Sequence, residues 1–129
     1  MELKFYKCRH CGNIIVKEKD SGVPVMCCGE EMKELKAGVT DAATEKHVPV
    51  VEQNGNIVTV KVGEVTHPML PEHFIEFIVL ETNKGHQVKH LLPGEAPVAT
   101  FALVEGEEVV AAYEHCNLHG LLEEISSQI

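Results

Sequence analysis

Residues 57–62 alternate strictly: Val58, Val60 and Val62 interleave with Ile57, Thr59 and Lys61. A period of two is that of a β-strand with one face turned to a core. Residues 74–80 form a near-continuous apolar run broken by Glu76, which predicts a more deeply buried strand. Asn54-Gly55 lies between apolar runs and predicts a hairpin with a type I′ turn. Asn83-Lys84-Gly85 predicts a turn into a strand at 87–92. Residues 97–104 and 109–114 predict a further hairpin across Glu105-Gly106-Glu107, whose acidic tip reads as solvated.

Short strands separated by turns at this spacing predict an antiparallel β-sandwich of the immunoglobulin-like class over residues 47–129. Residues 37–46 read as a linker ending in one helical turn, with Thr40 or Asp41 as N-cap. Residues 1–36 are different. Apolar runs at Phe5-Tyr6 and Ile14-Ile15-Val16 predict two short strands, but a segment this small needs a metal, disulfides or a partner to hold a fold.

Composition narrows the class. The chain has 129 residues, 44% of them hydrophobic and 24% charged, as expected of a globular protein. No apolar run approaches a membrane span, and residues 1–8 lack the apolar stretch of a signal peptide, so an intracellular, cytoplasmic location is expected. The formal charge is −9, and the basic residues are few and scattered, which argues against nucleic acid as a partner. An acidic surface repels anions at long range, so any site that uses an anion must be locally positive.

Five cysteines, an odd number, fit metal ligands better than a closed set of disulfides. Cys8-Arg9-His10-Cys11 is a Cys-x-x-Cys knuckle, and the adjacent pair Cys27-Cys28 follows. Four thiolates make a tetrahedral site for zinc or iron. Two neighbouring cysteines do not form a second knuckle, so a distorted site is expected. Cys116-Asn117-Leu118-His119 offers a thiolate and an imidazole three residues apart. His47, His67 and His73 fall at strand ends or loops, where a sandwich gathers functional groups. Four imidazoles and one sulfur are one ligand too many for structural zinc and suit an open, redox-active iron site. His10, His86, His90 and His115 lack this support, and His115 is expected to point away from a metal held by Cys116. Met69 is expected to pack within its loop rather than bind metal.

These motifs are spread over the whole chain, and together they resemble the desulfoferrodoxins, the two-iron form of superoxide reductase. Residues 1–36 resemble the desulforedoxin-like domain through Tyr6-Lys7-Cys8, Cys11-Gly12-Asn13, Cys27-Cys28-Gly29-Glu30 and Met32. The rest resembles the catalytic domain through Glu45-Lys46-His47-Val48-Pro49-Val50, His67-Pro68-Met69 with His73, and Glu114 followed by Cys116-Asn117-Leu118-His119-Gly120. One departure is visible: relatives often carry Trp around the third histidine, whereas this chain has Phe74 and Phe77 and no Trp.

The resemblance implies two irons per chain. The first would be held by Cys8, Cys11, Cys27 and Cys28. The second would be held by His47, His67, His73 and His119 roughly in a plane, with Cys116 axial and the sixth position open in the ferrous state. Superoxide would take one electron there with two protons and leave as hydrogen peroxide, as part of oxidative-stress detoxification. Lys46 would supply the local positive charge and help deliver protons, and Glu45 would occupy the sixth position of the oxidised, resting iron. A rubredoxin-type electron donor and a homodimer are implied in the same way. Two rivals stand beside this reading: a zinc clip fused to an immunoglobulin-like binding module, and a pure electron-transfer protein with closed metals. The first rival leaves Cys116 and four histidines without a use.

Overall fold

The valines that alternate in sequence all turn inward. In the computed structural model, which describes residues 3–36, 48–63, 68–117 and 120–125, Val58, Val60 and Val62 are buried, while Ile57 is exposed. The regular secondary structure among the described residues is all β, without a helix. The chain divides into two compact units, Met1–Lys36 and Ala37–Ile129.

In the first unit, β1 (Phe5–Lys7) is the centre of a three-stranded antiparallel sheet, flanked by β2 (Ile14–Val16) and β5 (Lys33–Leu35). The two-residue strands β3 (Met26–Cys27) and β4 (Glu30–Glu31) form a separate ribbon. Leu3, Phe5, Cys8 and Met32 are the buried apolar residues of this unit. Strands β3 to β5 were not foreseen, because runs of two or three residues are too short to show a period.

The second unit is a sandwich. One sheet has the order β10 (Val98–Ala102), β7 (Ile57–Val62), β6 (Pro49–Asn54). The other has the order β12 (Gly120–Ile125), β11 (Val109–Cys116), β8 (Ile75–Thr82), β9 (Gly85–His90). Val58, Val60 and Phe101 of the first sheet share one core with Ile75, Ile78, Leu80, Ala112 and Cys116 of the second. Each large aliphatic side chain fully buried there contributes about 1.5–3 kcal/mol relative to exposure. β8 and β11 are the two interior strands of this sheet, and most of their residues are buried.

Three expectations change. First, the β6–β7 turn is centred on Gly55-Asn56, since Asn54 pairs with Ile57. Gly55 has φ +63° and Asn56 is not left-handed, the sign pattern of a type II′ turn with glycine first rather than the type I′ turn expected of Asn54-Gly55. Second, β10 and β11 do not form a hairpin. They belong to different sheets, because the segment between them crosses the sandwich with Leu103 buried. Third, the crossing is not merely solvated. Thr82 Oγ1 donates to Glu107 Oε2 at 2.6 Å, the Val104 amide donates to Glu107 Oε1 at 3.0 Å, and Asn83 bonds the backbone of Gly106 and Glu108. Glu107 thus ties the crossing to the β8–β9 turn. The expected linker and helical turn at 37–46 lie outside the described residues.

Candidate metal centres

The knuckle and the cysteine pair meet. The sulfurs of Cys8, Cys11, Cys27 and Cys28 all lie within 4.8 Å of one another. The Cys11 and Cys27 sulfurs are 3.6 Å apart, far beyond a disulfide bond of about 2.05 Å and close to the edge of roughly 3.8 Å that a tetrahedron with metal–sulfur bonds of about 2.3 Å requires. Backbone geometry explains how neighbouring cysteines both reach the site. Cys27 pairs with Glu30 across a two-residue turn in which Cys28 has φ 52° and Gly29 has φ 73°. Two positive values make a type I′ turn, which swings the Cys28 side chain off the strand. A left-handed non-glycine residue costs about 1–2 kcal/mol, so the distortion expected of this pair sits at Cys28.

The donor set fits a cation. The backbone amides of Cys11 and His10 lower Cys8 to about 6, with burial opposing them. Cys28 is pushed up to about 12, chiefly by its side-chain interaction with Cys11, and Cys27 is raised mainly by the same neighbour. Thiolates this close disfavour one another's ionisation unless a positive ion sits among them. Cys8 is buried, whereas Cys11 and Cys28 are exposed. Polar side chains brace the site from outside. Asn13 Nδ2 donates to the Cys27 sulfur at 3.6 Å. Glu30 accepts from Arg9 at 2.6 Å and lies 2.9 Å from His10 Nε2. The hydrogen bond from Arg9, then its charge, holds the Glu30 carboxyl below its ordinary range against desolvation.

In the second unit, Cys116 ends β11 with no exposed surface. His115 is on the opposite face of the strand, where its Nδ1 lies 2.7 Å from Glu76 Oε1 and its ring stacks on Phe77 at 5.4 Å. A β-bulge makes this possible. Phe77 pairs with His115 but Ile75 pairs with Cys116, so Glu76 is an extra residue on β8. Ile75 therefore faces the core with Cys116, while Phe77 faces away with His115.

The His73 loop is drawn onto this strand end. Leu70 and His73 exchange backbone hydrogen bonds of 2.9 and 3.0 Å, and the His73 Nε2 atom is buried. Met69 packs against the core, and its sulfur accepts from the Ile75 amide at 3.4 Å. Asn117 joins the two segments. Its backbone amide donates to Phe74 O at 3.2 Å, its Oδ1 accepts from the Phe74 amide at 2.9 Å, and its Nδ2 donates to Glu72 O at 3.1 Å. Sequence reading passed over Asn117, although an Asn directly after a strand is a turn-forming signal. Glu114 faces inward between Ala112 and Cys116, fully buried, and burial pushes its carboxyl up to about 9. Neither of its oxygens has a hydrogen-bond partner among the described residues. Its parity with Ala112 and Cys116 was the available signal. Glu45, Lys46, His47, His67 and His119 lie outside the described residues.

The desulfoferrodoxin family model matches residues 39–125. A desulfoferrodoxin from Nitratidesulfovibrio vulgaris is 47% identical over 119 residues, covering 92% of this chain and 93% of the relative. The chain belongs to the desulfoferrodoxin family. The crystal structure of the superoxide reductase from Treponema pallidum is 42% identical, covers 95% of this chain and 97% of its own, and superposes with a TM-score of 0.81. The superoxide reductase (1Fe-SOR) from Giardia intestinalis is 34% identical and covers 62% of this chain and 95% of its own, with a TM-score of 0.54. The longer match of the first extends over nearly all of this desulfoferrodoxin-family chain, including its four-cysteine unit. No helix among the described residues is long and apolar enough to cross a membrane.

Proposed function

We propose that this chain is a superoxide reductase that reduces superoxide to hydrogen peroxide at an iron held in its second unit. Support comes above all from the near full-length likeness to the Treponema pallidum superoxide reductase. The chain's own residues fit that reading. Cys116 offers a buried sulfur at a strand end, and the His73 loop is hydrogen-bonded to the same end. His47, His67 and His119 complete the proposed donor set, and Cys8, Cys11, Cys27 and Cys28 hold a separate iron.

When bound by His47, His67, His73, Cys116 and His119, the second iron would supply one electron to superoxide. The protein's share is placement, charge and protons. Lys46 attracts the anion to a chain of formal charge −9 and orders water for proton delivery. Glu45 would supply a carboxylate to the oxidised iron. One electron and two protons convert superoxide to hydrogen peroxide, and the electron comes from a small rubredoxin-type carrier. The chain works in oxidative-stress detoxification in the cytoplasm as a homodimer.

The test is stopped-flow mixing of the reduced, iron-loaded protein with superoxide. Stoichiometric peroxide and oxidation of the second iron are expected. Cys116→Ser is expected to abolish both turnover and the sulfur-to-iron visible absorption, and retained turnover would refute the role of Cys116. Lys46→Ala is expected to slow the bimolecular step and flatten its dependence on ionic strength, whereas Glu45→Ala leaves that step largely intact. Purified protein containing zinc alone would support a clip-and-binding-module protein instead.

A further inference from the structure

Beyond the ligands themselves, we infer that Asn117 is a positioning residue that locks the His73 loop to the Cys116 strand end, so that an imidazole and the sulfur are set as one unit. This rests on the reading of Cys116 and His73 as iron ligands. The argument begins with the strand register. Cys116 pairs with Ile75, and the next antiparallel partners would be Asn117 and Phe74. In an antiparallel ladder every second pair exchanges two backbone hydrogen bonds, and a backbone bond between Asn117 and Phe74 places them in that class. Here the Asn117 amide donates to Phe74 O, but the Phe74 amide is accepted by the side-chain Oδ1 of Asn117. A side chain has replaced a backbone carbonyl in the last rung of the ladder.

That substitution lets the chain leave the sheet directly after Cys116 without leaving the Phe74 amide unpaired. The same side chain then donates through Nδ2 to Glu72 O. Three hydrogen bonds from one residue therefore fall on Glu72 and Phe74, the two neighbours of His73. Asn is specifically suited: Asp keeps the acceptor but loses the donor, Ala loses both, and Gln places the amide one methylene too far. Asn117 Oδ1 also lies 3.9 Å from the Cys116 sulfur, so the clamp adjoins one proposed ligand while bracketing the other.

The experiment compares iron-loaded wild type, Asn117→Ala and Asn117→Asp, using transfer of iron to a chelator, the sulfur-to-iron absorption band and amide hydrogen exchange. Asn117→Ala is expected to lose the second iron about tenfold faster or more, the effect typical of removing an outer partner of a metal ligand. Its sulfur-to-iron band shifts, the spectrum of the four-cysteine centre does not, and the Phe74 amide exchanges faster in the metal-free protein. Asn117→Asp retains slow exchange at Phe74 and loses iron at an intermediate rate. Iron loss and an absorption band matching wild type in folded Asn117→Ala would overturn the proposal. If that variant does not fold, a wild-type rate of iron loss in Asn117→Asp overturns it instead. A wild-type protein with no iron beyond the four-cysteine centre would refute the ligand reading. The Phe74 exchange rate would still decide whether the clamp exists.

Discussion

The side-chain amide of Asn13 donates to the sulfur of Cys27 across 3.6 Å. A donor aimed at a sulfur ligand favours the more negative, reduced state of the metal it holds, and hydrogen bonds to sulfur are among the groups that set such potentials. Asn13→Ala is therefore expected to lower the reduction potential of an iron in the four-cysteine unit. Asn13→Asp, which replaces the donor with a negative charge, is expected to lower it further. A tenfold change in the one-electron equilibrium corresponds to about 59 mV. Redox titration of the four-cysteine absorption checks this, and an unchanged or raised potential in both variants would count against it.

Metal uptake by the same unit is expected to depend steeply on pH. Near neutrality Cys8, lowered to about 6, is already mostly thiolate, while Cys27 and Cys28, both raised and the latter to about 12, are protonated. Both must release protons when a metal binds. The logarithm of the affinity for cobalt(II) is therefore expected to rise by about two or more per pH unit near pH 7.5. A slope below one in a spectroscopic titration would show that the pair is already ionised.

Glu107 is expected to make the sandwich sensitive to acid. Its carboxyl is held below its usual range, chiefly by the hydrogen bond from Thr82 and then by that from the Val104 amide. A depressed native value stabilises the fold above the ordinary glutamate range and loses that stabilisation as pH falls through the native value. Glu107→Gln should narrow the drop in melting temperature between pH 7 and pH 3.5, and Glu105→Gln should not. Equal drops in all three proteins would remove Glu107 from this role.

Glu114 carries the opposite sign. Its native value, pushed up to about 9 by burial, lies above that of an exposed glutamate. The folded protein keeps a proton that the unfolded chain releases, so stability from this group declines as pH rises from about 4.5 to about 9. Urea midpoints at pH 5, 7 and 9 are expected to fall less steeply in Glu114→Gln than in wild type. Parallel slopes would show that the carboxyl is not buried as a neutral acid.

Much of this was legible in the chain because it is local. The two-residue period of β7 gave its buried face without reference to any partner strand. The Cys-x-x-Cys spacing implied a turn whose sulfurs converge, and the Cys27-Cys28 pair announced an irregular backbone. The motifs around His47, His67, His73 and Cys116 carried the family. By contrast, the register around Glu76 left no local trace. Ile75 and Ile78 both face the core although they are three residues apart, which a regular strand forbids and a bulge permits. Asn117 was visible as a motif letter but not as a clamp, since its partners are more than forty positions away.

The sequence by itself determined the strand period of β7, the converging sulfurs of the Cys-x-x-Cys turn and kinship with the desulfoferrodoxins. Backbone preference and side-chain alternation are properties of neighbouring residues, so they survive in a linear string. Tertiary structure alone decided that β10 joins β7 rather than β11 and that Glu107 pins the crossing between sheets. Those choices depend on which group lies opposite which once the chain has closed, and only packing selects among partners of similar chemistry.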